Sequence, residues 1–450
     1  MRQIAAIVGT TGVGKSQLAV ELCKALRGQV INADAMQVYK GLDVITNKMP
    51  VHERQNVRHH LMDFLDPEEE YRVTEFHRDA TERIEQICGE NELPVVVGGT
   101  NYYVQSLLWH DTLISKNESV ERQQSPESSA ELDALDTPEL YRRLQQMDPI
   151  MANRWHPSDR RKILRSLQIY HETGRPQSEI LKEVQEQHEE HGARPRFKAL
   201  IFWLYAEQSV LKKRLEDRVD KMVTEGLFNE IQSLRKRVVE GSVKQPGQVL
   251  DQYRRGLWQA IGYKEFDPYF TAMEKGEDDD LESIKKECLD RMKSATVRYA
   301  KRQTKWIQSK LLPTVWNSKD VHIYLLDATD LNAWNDSVRD CAIDVAKAFL
   351  SNLPLPDPLS LSEIAAKLLS KPEKPVDTSE ARTLKWKKHV CPICKTDSGE
   401  PAVLNGDLEW QQHITGRWHR KSLKRLKNEE NRRKRAKIDE EQQTKESDPK

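Results

Sequence analysis

The chain has 450 residues, 37% of them apolar and 32% charged, with 71 basic and 71 acidic side chains that cancel to a formal net charge of zero. That length and apolar content are expected to build two or three domains with a sizeable core. Six cysteines, four of them isolated, exclude a disulfide framework, and no apolar run reaches the roughly 18 residues of a membrane span.

Charge is unevenly spread. Basic residues dominate from Arg382 to Lys437, whereas Glu68-Glu69-Glu70 and Glu277-Asp278-Asp279-Asp280 are acidic runs. A basic C-terminal end points to a nucleic-acid partner, against the plainer reading of a solvated or targeting tail. The first expected strand begins at Ile4, which leaves no room for a leader segment, so an intracellular protein is expected.

The apolar run Ile4-Ala5-Ala6-Ile7-Val8 leads into Gly9-Thr10-Thr11-Gly12-Val13-Gly14-Lys15-Ser16, and helical patterning follows from Gln17. Strand, glycine-rich loop and helix in that order form a P-loop. Its glycines let backbone N–H groups curl round a phosphate, Lys15 neutralises phosphate oxygens, and Ser16 can ligate Mg²⁺. The next strand, Gln29–Asn32, runs into Ala33-Asp34-Ala35-Met36-Gln37. In a doubly wound sheet, neighbouring strand ends converge on one crevice, which places Asp34 and Gln37 near the phosphates. A simple N-capping role for Asp34 carries equal weight on these residues alone.

His59 and His60 have no third ligand nearby and read as packing residues. Thr74–Gln86 reads as an amphipathic helix, and Leu93–Val97 as a buried strand followed by Gly98-Gly99-Thr100. A Walker-B strand would end in a magnesium-holding acid. Here the glycines allow close approach of a ligand and Thr100 offers a hydroxyl, which counts against ATP hydrolysis. Ser115–Thr137 is polar and reads as loop or disordered insert.

His156–Tyr170 has apolar positions at helical spacing, with Arg161, Lys162 and Arg165 on other faces. Phosphate-backbone contact and a solvated charged face are both open for it. Phe197–Tyr205 is expected as a strand and Leu211–Arg237 as one helix, whose Arg214, Arg218 and Lys221 read as surface charge. Two glycines flank the aromatic run Gly256–Phe266. In Leu289–Ile307, cations alternate with Tyr299 and Trp306, a pattern suited to a nucleic-acid groove. His322–Leu326 is expected as the last strand, and a proline-rich linker follows a helix near Leu331–Leu350. Finally, Cys391-Pro392-Ile393-Cys394 with His413 and His419 gives a C-x-x-C…H-x5-H pattern. Two thiolates and two imidazoles can close a structural Zn²⁺ site, and the basic Arg417–Arg425 stretch beside it suits an RNA backbone. Arg432-Arg433-Lys434-Arg435 reads as a nuclear address or a solvated tail.

The motifs GTTGVGKS, NADAMQVY, HHLMDFLDP, VGGTNYY, DRRKILRSL, RVDKM and QAIGYKEF, in that order over residues 1–310, resemble the tRNA dimethylallyltransferases, and the added finger resembles that of their eukaryotic branch. The resemblance implies an α/β fold: a P-loop NTPase-like parallel sheet flanked by helices, with a helical insertion and a C-terminal C2H2-type zinc finger. The implied division is a catalytic core over 1–114 and 195–350, a tRNA-binding insertion over 115–194, a linker over 351–388, the finger over 389–425 and a disordered tail over 426–450. It implies transfer of a dimethylallyl group from dimethylallyl diphosphate to the exocyclic N6 amine of the adenosine 3′ to the anticodon. Asp34 then matches the general base and Thr100 a hydroxyl orienting the amine, while Arg218 joins residues 9–16 in holding diphosphate. Asp34, Ala35, Met36 and Gln37, the Arg161/Lys162/Arg165 helix, and Gln259, Gly262, Tyr263 and Lys264 match regions that meet the tRNA anticodon stem-loop. Mg²⁺ and a structural Zn²⁺ are the implied cofactors, and a monomer in the cytoplasm is expected, with a nuclear share and a mitochondrial one left open. Two rival readings remain on the residues alone, a P-loop kinase and a zinc-finger RNA-binding protein without catalysis.

Overall fold

The computed structural model describes residues 1–112, 129–244, 255–276, 280–371, 388–396, 399 and 401–446. Six strands, β1 (Gln3–Gly9), β2 (Gly28–Asn32), β3 (His59–His60), β4 (Leu93–Val97), β5 (Lys198–Tyr205) and β6 (Val321–Asp327), form one sheet in the order β3-β2-β4-β1-β5-β6. Every neighbouring pair is parallel. The strands read as continuous apolar runs because helices cover both faces. Along β1, Ile4, Ala6 and Val8 enter one core cluster while Ala5 and Ile7 enter the other, as the two-residue period of a strand requires.

The crossovers are helical. Helix α1 (Lys15–Leu26) lays Leu18, Ala19, Leu22 and Cys23 on the Ala5/Ile7 face. Helix α2 (Val73–Gly89) buries Phe76, Ala80, Ile84 and Ile87, three- and four-residue spacings that form a single stripe, on the Ile4/Ala6/Val8 face. Helix α3 (Asn101–Leu108) follows β4. The chain then builds α4 (Ser129–Ala134), α5 (Thr137–Met147), α6 (Pro149–Arg154), α7 (Arg160–Thr173) and α8 (Gln177–His191). After β5 come α9 (Gln208–Thr224), α10 (Leu227–Val239), α11 (Asp267–Lys275), α12 (Leu281–Trp306), α13 (Leu312–Trp316), α14 (Cys341–Leu350) and α15 (Glu363–Leu369). A hairpin of β7 (Lys388–Lys395) and β8 (Pro401–Asn405) precedes α16 (Gly406–Thr415) and α17 (Arg417–Glu446).

Two compact units result. One comprises Met1–Leu113 with His188–Lys371 and holds the sheet; the other comprises Ile114–Gln187 with Pro372–Lys450. The second has its own apolar centre, in which Leu132, Leu140, Leu144, Met151, Ile163 and Leu167 are buried together.

Local structure departs from the sequence expectations in four places. Part of the polar stretch 115–137 is helix α4, since Leu132 has a core to enter; residues 115–128 lie outside the described residues. The single helix expected from Leu211 to Arg237 is two, because Gly226 takes φ 104° and breaks it. Within the expected linker, Ser362 caps α15 by accepting from Ala365 N–H at 3.1 Å, and Ala365 and Leu369 join the sheet core; residues 372–387 lie outside the described residues. The expected disordered tail is helical as far as Glu446 in α17, and residues 447–450 lie outside the described residues.

One glycine fixes how closely β2 and β4 end together. A Cβ on Gly98 would lie 2.1 Å from the Ala33 carbonyl oxygen, a backbone atom that cannot swing away. Gly98→Ala is expected to cost about 3 kcal/mol through this overpacking, read as a lowered midpoint in urea; an unchanged midpoint would show that the two strand ends can separate freely.

Candidate active site

The carboxyl ends of β1, β2 and β4 open on a cavity of about 270 Å³, lined among others by Thr11, Lys15, Ser16, Asp34, Gln37 and Arg218. Its floor is the P-loop. Gly9, Gly12 and Gly14 take φ 147°, 84° and 93°, and a Cβ on Gly9 would meet the Leu204 carbonyl oxygen at 2.5 Å. Val13 turns its side chain into the core, at 1% exposure, so its contribution to the loop is backbone. Lys15 arches back over the loop and donates to the Thr10 carbonyl at 2.7 Å.

The electrostatics call for an anion. Burial lowers the Lys15 pKa to about 8, Asp34 partly offsetting the effect and Arg218 adding to it. Burial likewise lowers that of Arg218 to about 10, against the pull of Asp34. Arg218 donates to Thr11 Oγ1 at 2.7 Å, while its Nε is buried and bonded to nothing among the described residues. The spacing on α9 made Arg218 look like surface charge; the fold turns it into the cavity instead. Arg214 is spent on the Ala328 carbonyl at 2.7 Å and on Thr329, and Lys221 pairs with Glu225 at 3.2 Å.

Asp34 sits at the end of β2. Its Oδ1 accepts from Met36 N–H at 2.9 Å, and its own N–H donates to Asn32 Oδ1 at 3.1 Å, so the carboxylate is held by its local turn. Thr100 does not line the cavity; its hydroxyl accepts from Ala35 N–H at 3.0 Å, which leaves its proton to donate. The Gln37 amide nitrogen donates to the Thr46 and Asn47 carbonyls at 3.2 and 3.0 Å, leaving the amide oxygen as an acceptor. That loop is fixed from outside. Glu230 accepts from the N–H groups of Val44 and Ile45, and buried Lys48 donates to Asp43, Asp63 and the Tyr39 carbonyl.

The sequence reading missed two residues that hold the cavity together. Gln303, 4% exposed on α12, accepts from Thr11 N–H at 2.9 Å and donates to the Gly99 carbonyl at 2.9 Å, joining the P-loop to the loop after β4. Trp334 packs so closely on Gly14 that a Cβ there would stand 2.6 Å from its ring, and its indole N–H donates to Glu21. No motif signals either one. Tyr299, placed with the groove-facing aromatics by its sequence, instead lies beside Gly99 and Asp34, and its hydroxyl pKa is driven up by burial and by Asp34.

The other expected tRNA residues separate by exposure. Gln259 and Lys264 are exposed, Gly262 is buried at φ 115°, and Tyr263 is 4% exposed against Trp258, so its ring serves the core. In the second unit, Arg161 is exposed, Lys162 pairs with Asp159 at 3.0 Å and Arg165 with Glu172 at 3.2 Å.

In that unit Cys391, Cys394, His413 and His419 present ligand atoms all within 4.8 Å of one another. His419 Nδ1 lies 3.5 Å from Cys391 Sγ, 3.6 Å from Cys394 Sγ and 3.2 Å from His413 Nε2. Two soft sulfurs and two imidazoles at this closeness suit tetrahedral Zn²⁺. For Mg²⁺ the sheet unit offers the Ser16 hydroxyl on the cavity wall, a hard oxygen that suits a cation held mainly through a bound phosphate.

A P-loop beside a strand β4 that runs into Gly-Gly-Thr, with a carboxylate at the end of neighbouring β2, describes a transferase that grips a phosphorylated donor. Comparison with known proteins narrows the class. Residues 37–310 match the family described as IPP transferase. A tRNA dimethylallyltransferase of Schizosaccharomyces pombe is 40% identical over 436 residues, spanning 95% of this chain and 96% of its own length. The tRNA dimethylallyltransferase of Homo sapiens is 35% identical over 431 residues, spanning 93% and 85%. The crystal structure of a eukaryotic dimethylallyltransferase acting on tRNA superposes with a TM-score of 0.76 at 35% identity, covering 96% of this chain and 99% of that one. The chain belongs to the IPP transferase family.

The lowered Lys15 pKa has a measurable consequence. A bound anion raises it, so at about pH 8.5 binding of inorganic diphosphate takes up a proton at Lys15, and affinity falls as pH rises through about 8. Titration calorimetry in buffers of different ionisation enthalpy is expected to show this uptake and its loss in Lys15→Met; equal uptake in both proteins would remove Lys15 from the phosphate site.

Proposed function

We propose that this chain transfers a dimethylallyl group from dimethylallyl diphosphate to the N6 amine of the adenosine 3′ to the anticodon of tRNA. One observation carries the reading: the phosphate loop and Asp34 share one cavity, and no acid stands at the end of β4 to serve a nucleotide's magnesium. The names of its relatives support the same donor group and acceptor.

The adenine amine is a weak nucleophile because its lone pair is delocalised into the ring. The Asp34 carboxylate takes the amine proton as the nitrogen bonds to the terminal allylic carbon and that carbon's bond to diphosphate oxygen breaks. Lys15, Arg218 and the backbone N–H groups of the P-loop meet the charge that grows on the departing diphosphate. Mg²⁺ at Ser16, when bound, supplies further neutralisation of those oxygens. Thr100, whose hydroxyl accepts from Ala35 N–H, helps orient the amine, and the amide oxygen of Gln37 suits the edge of a base displaced from the anticodon loop. Exposed Arg161, Gln259 and Lys264 serve the tRNA backbone, as does the basic start of α17 beside the Zn²⁺ finger. The protein acts as a monomer in the cytoplasm, with the basic run at 432–435 as address for a nuclear share.

Incubation with unmodified tRNA, Mg²⁺ and labelled donor, without ATP, is expected to label the anticodon loop. Asp34→Asn is expected to slow transfer by roughly 10²–10⁴-fold while sparing tRNA affinity; turnover near that of the wild type would refute the base assignment, and phosphate transfer appearing only with ATP would restore the kinase reading. Cys391→Ser is expected to release zinc and weaken tRNA binding with little change in rate at saturating tRNA. A fall in that rate would give the finger a part in chemistry.

A further inference from the structure

Within the second unit, two stretches distant in sequence are joined by contacts that the catalytic reading does not use. Lys388, at the start of β7, turns away from its own hairpin. Its Nζ donates to the Tyr141 hydroxyl on α5 and to the Ala152 carbonyl on α6, the latter at 2.7 Å, and lies 4.7 Å from the centre of the Tyr141 ring. The Tyr141 hydroxyl donates to the same Ala152 carbonyl at 3.1 Å. A phenol oxygen, a carbonyl and a ring face thus surround the ammonium, and no carboxylate pairs with it among the described residues. Burial lowers its pKa to about 8.

A second contact lies on the facing strand. His156, just before α7, stands with Nε2 2.9 Å from the Val403 carbonyl on β8 and Nδ1 2.6 Å from the Ser158 hydroxyl. A carbonyl can only accept, so Nε2 carries the proton and the hydroxyl donates to Nδ1. Lys388 and Val403 lie on the paired strands of one hairpin, where Lys388 is opposite Asn405 and Val390 opposite Val403. The hairpin also carries Cys391 and Cys394.

A lysine retained only to attract RNA would keep its charge in water. This one surrenders hydration to grip neutral groups 236 and 247 residues away in sequence, an arrangement that fixes geometry. We propose that Lys388 and His156 are positioning residues that latch the metal-bearing finger to the helical insertion, so that basic α17 and exposed Arg161 meet tRNA as one preset surface. The proposal rests on the tRNA reading above. Two surfaces held at fixed spacing engage one ligand at a higher effective concentration than two joined only through the chain, and the ordering cost is met before binding.

The test uses the full-length zinc-loaded protein with Lys388→Met, His156→Ala and the double variant. Zinc content, kcat at saturating tRNA and KM for the prenyl donor are expected to stay at wild-type values, while KM for tRNA rises roughly tenfold in the double variant. Amide exchange over residues 150–156 is expected to accelerate in the same protein without tRNA. An unchanged KM for tRNA overturns the proposal, as does unchanged exchange, and so does a loss of zinc that accompanies the rise in KM. If the double variant fails to fold, Tyr141→Phe removes one acceptor of the Lys388 ammonium and must still raise KM for tRNA; no rise overturns the latch. The exchange measurement needs no substrate, so a wild-type protein that modifies no tRNA would defeat the functional reading separately.

Discussion

Two cations set into one cavity wall with the Asp34 carboxylate are the constraint on which the sheet unit depends. Lys15 and Arg218 each lose hydration there, and each has its pKa lowered by that loss. An ammonium satisfied by one loop carbonyl and a guanidinium with a buried, unbonded Nε are incomplete without an anion. The stability surrendered in placing them is available when charge develops on a departing diphosphate, which is where preorganised cations lower a barrier most.

Holding that arrangement requires close backbone approach and ties from distant parts of the chain. Glycines at 9, 14, 98 and 99 each stand where a Cβ would collide with a neighbour, and the colliding neighbours come from β5, the Trp334 segment, the end of β2 and α12. Gln303 then fixes the spacing between the phosphate loop and the loop after β4 with both ends of one amide. Because Asp34 follows β2 and Lys15 follows β1, the distance between the Asp34 carboxylate and the glycine-rich loop is a property of strand packing and cannot be set by either loop alone.

The second unit follows a different principle. Its helical part has a small apolar centre, and the finger's buried set is smaller still, with Cys391, Cys394 and Ala402 at its heart. The Cys391, Cys394, His413 and His419 set could hold a metal ion, which would supply the cohesion that such a core lacks. Polar contacts through Lys388 and His156 join the finger to the helices, so two pieces too small to be rigid alone share one frame.

The sequence by itself determined the P-loop, the Gly-Gly-Thr ending of β4 and the Cys and His set, because each is written within a few residues whose spacing has one good geometric solution. It also determined most helices, since their apolar periods meet a core on one side. It placed Tyr299 among groove-facing aromatics and read Arg218 as surface charge; the resemblance alone brought Arg218 to the phosphates. Tertiary structure decided where those two side chains lie, together with Gln303, Trp334 and the fate of helices α4 and α15. The partners concerned lie far off in the chain, Gln303 acting on Thr11 across 292 residues and Trp334 on Glu21 across 313. Local composition carries no record of such pairings, since which face of a helix looks inward is fixed only when the sheet and its crossovers have packed.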